Sequence, residues 1–215
     1  MTPTTRLTLP PLEADFLKAQ YRAARVILEY GSGGSTLFAA SLPGKRVFSV
    51  ESDPVWCAAL KQEIENASPQ SEVTVYPVDI GKTGAWGRPV DTRSWQKFVR
   101  YPLQIWSEPF FVEPDLVLID GRFRMACFAT LVLRLRKPAT VLFDDYANCR
   151  YYHAVAEISP PVEVIGRMAR FELTPGLMTQ DNLALLMSMF FEATYSEGSK
   201  NYKRTFHAFS ADEEI

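Results

Sequence analysis

Residues 26–36, VILEYGSGGST, decide the fold, because they join an apolar strand to a glycine-rich turn and the start of a helix. The apolar run ends on Glu29, and Gly31 and Gly33 follow directly. Glycine is needed in such a turn because the backbone bends sharply and approaches a ligand closely. The free N–H groups at the helix start then face the crevice above the sheet. The stretch predicts the first nucleotide- or nucleoside-binding turn of a doubly wound sheet.

The composition is that of an ordinary globular protein, with 47% apolar and 22% charged residues among 215. This length suffices for a substantial core, and we expect residues 1–215 to form a single domain. A net charge of −2 argues against a dedicated nucleic-acid binder, which usually has a basic face.

Cysteine usage and hydropathy indicate the compartment. Cys57, Cys127 and Cys149 are odd in number and form no C-x-x-C pair, which fits a reducing cytoplasm. The first residues lack the features of a signal peptide, and no apolar run reaches the length of a membrane span. We therefore expect a cytoplasmic protein without a membrane partner.

The patterns along the rest of the chain alternate between strands and helices. Strands are predicted at 26–29, 46–50, 72–77, 115–119 and 139–143, with a hairpin at 162–165 and 169–173. Helices are predicted at 11–24, 35–41, 54–64, 122–136, 150–158 and 182–193. This order predicts an α/β fold, a Rossmann-like three-layer α/β/α sandwich whose mostly parallel sheet ends in an antiparallel hairpin strand. Residues 81–114 have no clean period and form a predicted insertion on the substrate side.

Acidic residues stand at the carboxyl end of all five predicted parallel strands, where open sheets bind their ligands. They are Glu29, Glu51, Asp79, Asp120 and the pair Asp144-Asp145. Each one alone is also explained as a solvated helix cap.

A dinucleotide-binding turn is one alternative, because Gly31, Gly33 and Glu51 resemble G-x-G with an acidic ribose partner. Two residues count against it. Thr36 stands where close packing prefers a third glycine or alanine, and Glu29 would face a pyrophosphate unfavourably. An acid in this turn suits a ligand with a sulfonium and an ammonium group, as in S-adenosylmethionine.

In their order along the chain, the glycine turn and the acids that follow it resemble the motifs of class I S-adenosylmethionine-dependent methyltransferases. The resemblance covers about residues 26–173. It implies that the methionine part is held by Glu29, Gly31, Ser32, Gly33 and Ser35. It implies a ribose contact by Glu51 with Ser52 beside the adenine, an adenine contact by Asp79 and Ile80, and Asp120 near the transferable methyl group.

The fourth and fifth strands also resemble those of catechol-type, cation-dependent O-methyltransferases. The resemblance implies catalytic positions at Asp120, Asp145 and Arg122, with Arg122 replacing the family's lysine and Tyr146 replacing a metal-binding asparagine. Arginine is a poor base because it stays charged. We expect no metal, although Asp120 and Asp145 can hold Mg²⁺ with waters if a divalent ion is used.

Two further features bear on the acceptor. Arg122 and Arg124 either grip an anionic substrate by bidentate contacts or pair with the acids around them. The aromatic residues of 81–114 either form a lid over the acceptor or bury against the sheet.

The sequence thus favours a methyltransferase that moves a methyl group from S-adenosylmethionine to a small, anionic, hydroxyl-bearing acceptor, with no nucleic-acid partner. A methyltransferase-like binding protein without turnover is the alternative from another class, and a nucleotide or dinucleotide enzyme is a third.

Overall fold

The structure is a computed structural model that describes residues 7–196; of the predicted single domain, 1–6 and 197–215 lie outside the described residues. The strands are β1 Val26–Tyr30, β2 Arg46–Glu51, β3 Glu72–Pro77, β4 Leu116–Ile119, β5 Ala139–Phe143, β6 Glu163–Ile165 and β7 Met168–Leu173. The α-helices are α1 Pro11–Ala23, α2 Gly34–Ser41, α3 Pro54–Asn66, α4 Trp95–Phe98, α5 Arg100–Leu103, α6 Arg124–Arg134 and α7 Leu183–Ser188. Short 3₁₀ helices span Ala85–Gly87, Gln104–Ser107, Arg150–Glu157 and Met189–Phe191.

The seven strands form one sheet in the order β3-β2-β1-β4-β5-β7-β6. The first five are mutually parallel, and β7 runs antiparallel to both β5 and β6. This confirms the predicted Rossmann-like sandwich with a terminal antiparallel hairpin. Because the strand order reverses between β1 and β4, their carboxyl ends open into the crevice where such sheets bind ligands.

Alternating side chains of the strands bury against helices on both faces of the sheet, which makes three layers. On one face, Ile27 of β1 and Leu118 of β4 pack with Leu17 of α1. On the other face, Leu28 and Ile119 belong to a core that includes α6 and α7.

Two predicted helix boundaries differ from the structure for local reasons. The helix predicted at 122–136 begins at Arg124, because Phe123 has a left-handed backbone (φ 51°) and cannot belong to it. The helix predicted at 182–193 ends at Ser188 and continues only as a 3₁₀ turn. The helix α3 begins at Pro54, where Asp53 caps it by accepting backbone N–H bonds from Val55 and Trp56 at 2.9 and 3.0 Å.

The segment 81–114 contains only short helical turns, and most of its large aromatic side chains pack on the sheet. Phe98, Tyr101 and Trp106 are buried in the core. Trp86 and Trp95 are 68% and 56% exposed. Within residues 7–196, no helix is long and apolar enough to cross a membrane.

Candidate cofactor and acceptor site

The glycine turn after β1 packs directly against the turn after β4. Gly31 has φ 104°, a conformation that disfavours side chains, and a Cβ added to it would lie 2.7 Å from Cα of Gly121. Gly31 donates its N–H to the carbonyl of Val50 at 3.0 Å, and Gly121 donates to that of Tyr30 at 2.5 Å. A Cβ on Gly121 would in turn collide with the Tyr101 hydroxyl. Two glycines therefore bring the ends of β1 and β4, and Asp120 with them, to the same point of the crevice.

Glu29 lies beneath this turn, fully buried. Its carboxylate accepts hydrogen bonds from the hydroxyls of Tyr21 at 2.7 Å and Thr36 at 2.6 Å. Thr36 also accepts the N–H of Gly33 at 3.0 Å and lies 3.2 Å from the Ser49 hydroxyl. Burial raises the pKa of Glu29, while the hydroxyl donors lower it. The side chain predicted to hold the methionine part thus braces the glycine turn, and Thr36 stands at the third-glycine position because it belongs to this network.

Glu51, at the end of β2, is 8% exposed and is surrounded by donors. The hydroxyl of Ser32 donates to its Oε2 at 2.7 Å. The backbone N–H groups of Ser52 and Asp53 donate to Oε1 at 2.7 and 2.9 Å. Trp56 holds the same turn by donating its Nε1–H to the Ser32 carbonyl at 3.0 Å. Glu51 therefore ties the glycine turn to β2 and places a carboxylate where the ribose contact is predicted.

The other predicted cofactor residues lie along the same crevice with different exposure. Asp79 has a 62% exposed side chain, accepts the N–H of Gly81 at 2.8 Å and forms an ion pair with Lys97 at 2.7 Å. Those two partners lower the pKa of Asp79. Ile80 is fully buried at the end of the same segment. Ser35 is half-buried near the start of α2, and its hydroxyl lowers the pKa of Glu29.

At the ends of β4 and β5, three carboxylates and two guanidinium groups form a cluster. Arg124 contacts Asp120 Oδ1 at 3.0 Å and Asp145 Oδ2 at 3.1 Å. Arg167 donates to both oxygens of Asp144, at 3.0 and 2.8 Å, and lies 3.1 Å from Asp145. Oxygens of the three acids lie within 4.8 Å of one another, a spacing that suits a cation. In this structure the cations between them are the two guanidinium groups.

Asp120 is the acid of this cluster that reaches the glycine turn, and its side chain is 32% exposed. Burial raises the pKa of Asp120 to about 7; Arg124 lowers it, and Asp144 and Asp145 raise it further. A carboxyl group with a pKa near 7 is suited to proton transfer at neutral pH.

The predicted arginine pair is divided by the structure. Arg124 is buried and forms ion pairs with Asp120 and Asp145, which is the alternative in which the arginines pair with the acids around them. Arg122 is half-buried, and its guanidinium group has no ion pair within residues 7–196; its backbone N–H lies 3.4 Å from the Tyr101 hydroxyl. Tyr146, at the position of the metal-binding asparagine, is buried and packs against His153 with the rings tilted by 35° and their centroids 4.7 Å apart.

Arg167 is a site residue that sequence reasoning missed, since the pair Gly166-Arg167 predicted only a hairpin turn. The antiparallel register pairs Phe143 with Ala169, so the start of β7 lies beside the end of β5. Arg167 therefore lies next to Asp144. The signal was present in the predicted hairpin, because an antiparallel strand beside β5 must begin at the acidic end.

Comparisons with known proteins identify the family of the chain. A solved methyltransferase-like protein from Silicibacter pomeroyi DSS-3 is 43% identical to this chain, with a TM-score of 0.83. The match covers 88% of this chain and 98% of that one. The chain belongs to the class I methyltransferase-like proteins.

A more distant relative supports the fold of this methyltransferase-like chain. The O-methyltransferase TomG from Streptomyces achromogenes, solved in complex with SAM, is 18% identical, with a TM-score of 0.54. The match covers 79% of this chain and 82% of TomG. At 18% identity, the similarity supports the fold alone. No protein-family model matches the chain, and no curated protein does.

The residues at the crevice of this methyltransferase-like chain fit an adenosyl cofactor. Gly33 leaves open space beside the helix start, since a Cβ there would meet only Trp56, at 3.9 Å. A carboxylate that could accept hydrogen bonds from ribose hydroxyls stands at Glu51. A carboxylate beside the ligand favours a cationic nucleoside over an anionic pyrophosphate.

Proposed function

We propose that this chain is a cytoplasmic enzyme that transfers a methyl group from S-adenosylmethionine to the hydroxyl oxygen of a small acceptor. The observation that carries the proposal is the packing of Gly31 on Gly121, because it brings Asp120 to the edge of the glycine turn. Membership in the methyltransferase-like proteins supports the same reaction class.

We assign the cofactor to the crevice above β1, β2 and β3. The backbone of Gly31, Ser32, Gly33 and Ser35 would hold the methionine part, with Glu29 bracing the turn from below. Glu51 would accept hydrogen bonds from the ribose hydroxyls, Ser52 would lie beside the adenine, and Asp79 with Ile80 would contact the adenine. When bound, S-adenosylmethionine supplies an electrophilic methyl group on a sulfonium.

Asp120 would accept the proton of the acceptor hydroxyl, and alignment with the methyl group would supply much of the rate. Arg124 would hold the Asp120 carboxylate in place, and Asp145 would hold Arg124. Because the pKa of Asp120 is about 7, its base form is lost below that pH. Turnover is therefore expected to rise as the pH increases through about 7.

We propose that methyl transfer needs no divalent ion. Asp120 and Asp145 would be its ligands, but both are ion-paired to Arg124, and Asp145 is also close to Arg167. A metal would have to displace these guanidinium groups, each of which is held by more than one oxygen.

The direct test is label transfer from methyl-labelled S-adenosylmethionine to a panel of phenols and hydroxy acids. Wild-type chain is expected to methylate a member of the panel, and Asp120→Asn to lower kcat by about 10²–10⁴. Asp15→Asn, an exposed change of the same chemistry on α1, is the control and should retain full activity. Full activity of Asp120→Asn would refute the assignment of the base.

Binding without turnover is the second candidate, and the Asp120–Arg124 ion pair favours it because a paired carboxylate is a weaker base. The two candidates share cofactor binding and differ in product. S-adenosylhomocysteine binding with no label transfer to any member of the panel, at any pH from 6 to 9, would favour the binding protein.

A further inference from the structure

Two arginines near the glycine turn, Arg88 and Arg122, have no carboxylate partner within residues 7–196. The Nε atom of Arg88 is buried and has no hydrogen-bond partner. The guanidinium group of Arg122 is half-buried and forms no ion pair. By contrast, Arg124 and Arg167 each contact two acids. Arg88 and Arg122 therefore add positive charge beside a cluster in which Arg124 and Arg167 are balanced by acids.

Arg88 is held over the end of β2 by its own segment. Ser52 donates its hydroxyl to the carbonyl of Gly87 at 2.9 Å, and a Cβ on Gly87 would lie 3.2 Å from Glu51 Oε1. The backbone carbonyl of Arg88 accepts the N–H of Gly84 at 2.8 Å. These contacts place the backbone at Gly87 and Arg88 beside the predicted ribose carboxylate.

Arg122 is held at the end of β4, on the other side of β1. Gly121 before it packs on Gly31. Phe123 after it packs on Phe98 and Tyr101, with ring centroids 5.0 and 5.6 Å away. Since β2 and β4 both neighbour β1, the two arginines flank the glycine turn.

The two charges are close enough to affect each other. Burial lowers the pKa of Arg122, the charges of Arg124 and Arg88 lower it further, and Tyr101 and Asp120 raise it by less. Partly desolvated like charges are costly unless an anion compensates them. Guanidinium groups bind carboxylate and phosphate by paired, charge-assisted hydrogen bonds.

We propose that Arg88 and Arg122 together bind an anionic group of the methyl acceptor, so that the acceptor is a hydroxyl compound with a carboxylate or phosphate. This proposal rests on the proposed function. It differs from the predicted pair, Arg122 and Arg124, because Arg88 takes the place of the ion-paired Arg124. The cofactor's own carboxylate is the other source of the same chemistry, and the experiment separates the two.

The experiment is calorimetric titration of inorganic phosphate into the full chain at low ionic strength, with and without saturating S-adenosylhomocysteine. Phosphate is expected to bind both samples, and Arg88→Gln and Arg122→Gln each to weaken it about tenfold. Arg93→Gln removes the same charge from an exposed, ion-paired arginine of the segment 81–114 and should leave phosphate affinity unchanged. Arg122→Lys is expected to recover part of the affinity, because charge is kept and the paired geometry is lost.

Three outcomes would overturn the proposal. They are no phosphate binding by the wild-type chain, phosphate binding that both glutamine variants retain, and phosphate displaced by S-adenosylhomocysteine, which would assign the pair to the cofactor carboxylate. Each variant is also titrated with S-adenosylhomocysteine and with 5′-methylthioadenosine, which lacks the amino-acid carboxylate. Unchanged binding of 5′-methylthioadenosine verifies that the variant is folded. A loss of affinity confined to S-adenosylhomocysteine would again assign the arginine pair to the cofactor carboxylate. If neither nucleoside binds the wild-type chain, the proposed function fails, and the phosphate titration still tests the arginine pair.

Discussion

The carboxylates at the two halves of the crevice are satisfied by different kinds of donor. Glu29 and Glu51, on the β1–β2 side, accept hydrogen bonds from hydroxyls and backbone N–H groups. Asp144 and Asp145, on the β4–β5 side, pair with guanidinium groups. Neutral donors fix a turn without adding charge, whereas ion pairs set the charge and the pKa of their surroundings. Under the proposed function, the first half would position the cofactor and the second would control a proton.

The largest effect is expected where a buried acid loses its charge opposite a guanidinium group. Asp144→Asn removes the negative charge and replaces one of the two accepting oxygens by an NH₂ group, which faces an Arg167 N–H without an acceptor between them. We expect a loss of about 3–5 kcal/mol in the free energy of unfolding, measured in urea. Glu163→Gln breaks the more exposed Arg170 pair and should cost less than about 1 kcal/mol. Equal losses would contradict the distinction.

Glu192 sharpens the comparison because it is a buried carboxyl group with neither kind of donor. It is 8% exposed, and within the described chain its Oε2 has no hydrogen-bond partner. Burial raises the pKa of Glu192 to about 9. In the unfolded chain the pKa is about 4.3, so the unfolded state loses the proton first and the stability falls as the pH rises from about 4 to 9.

Glu192→Gln removes this penalty. The variant is expected to be more stable than wild type by about 1–3 kcal/mol at pH 8, with the difference shrinking towards zero near pH 4. Thermal unfolding at a series of pH values measures it. A stability difference that does not change with pH would show that Glu192 is not a buried acid of raised pKa.

On the hydroxyl-satisfied side, the same loss of charge should be mild. In Glu29→Gln the hydroxyls of Tyr21 and Thr36 can rotate, so one donates to the amide oxygen and the other accepts from the amide N–H. We expect a loss of about 1 kcal/mol in the free energy of unfolding. Tyr21→Phe removes one donor outright and should cost a similar amount. A loss as large as that of Asp144→Asn would remove the contrast between the two halves.

The smallest effect is expected from metal. Because Arg124 and Arg167 lie between the acids, added Mg²⁺ or EDTA should change turnover by less than about twofold. A loss of turnover in EDTA that Mg²⁺ restores would contradict this. Arg124→Met, which frees Asp120 and leaves Asp145 only its contact with Arg167, is the variant most suited to gain metal binding.

The fold was predictable because each strand carries its own local pattern. The bounds of β3 and β5 are as predicted, 72–77 and 139–143, since apolar runs between turn residues identify buried strands. The start of α6 was not predictable, because the left-handed backbone of Phe123 depends on its packing against Phe98 and Tyr101. The short helices of 81–114 likewise depend on burial against the sheet.

The place of the acidic strand ends in the fold was predictable, and their hydrogen-bond and ion-pair partners were less so. The acidic strand ends meet at the crevice as the parallel sheet requires. Which cation pairs with which acid is a matter of side-chain geometry across the sheet, so Arg167 and the division between Arg122 and Arg124 became clear only in three dimensions. The role of Glu29 as a brace depends on Tyr21 of α1, a contact that no local pattern indicates.

The most direct test of the central claim is calorimetric titration of the full chain with S-adenosylhomocysteine and, separately, with NADH. Binding of S-adenosylhomocysteine, weakened at least about tenfold by Glu51→Gln, is predicted, with no NADH binding. NADH binding without S-adenosylhomocysteine binding would contradict the methyltransferase assignment and the interpretation of the glycine turn.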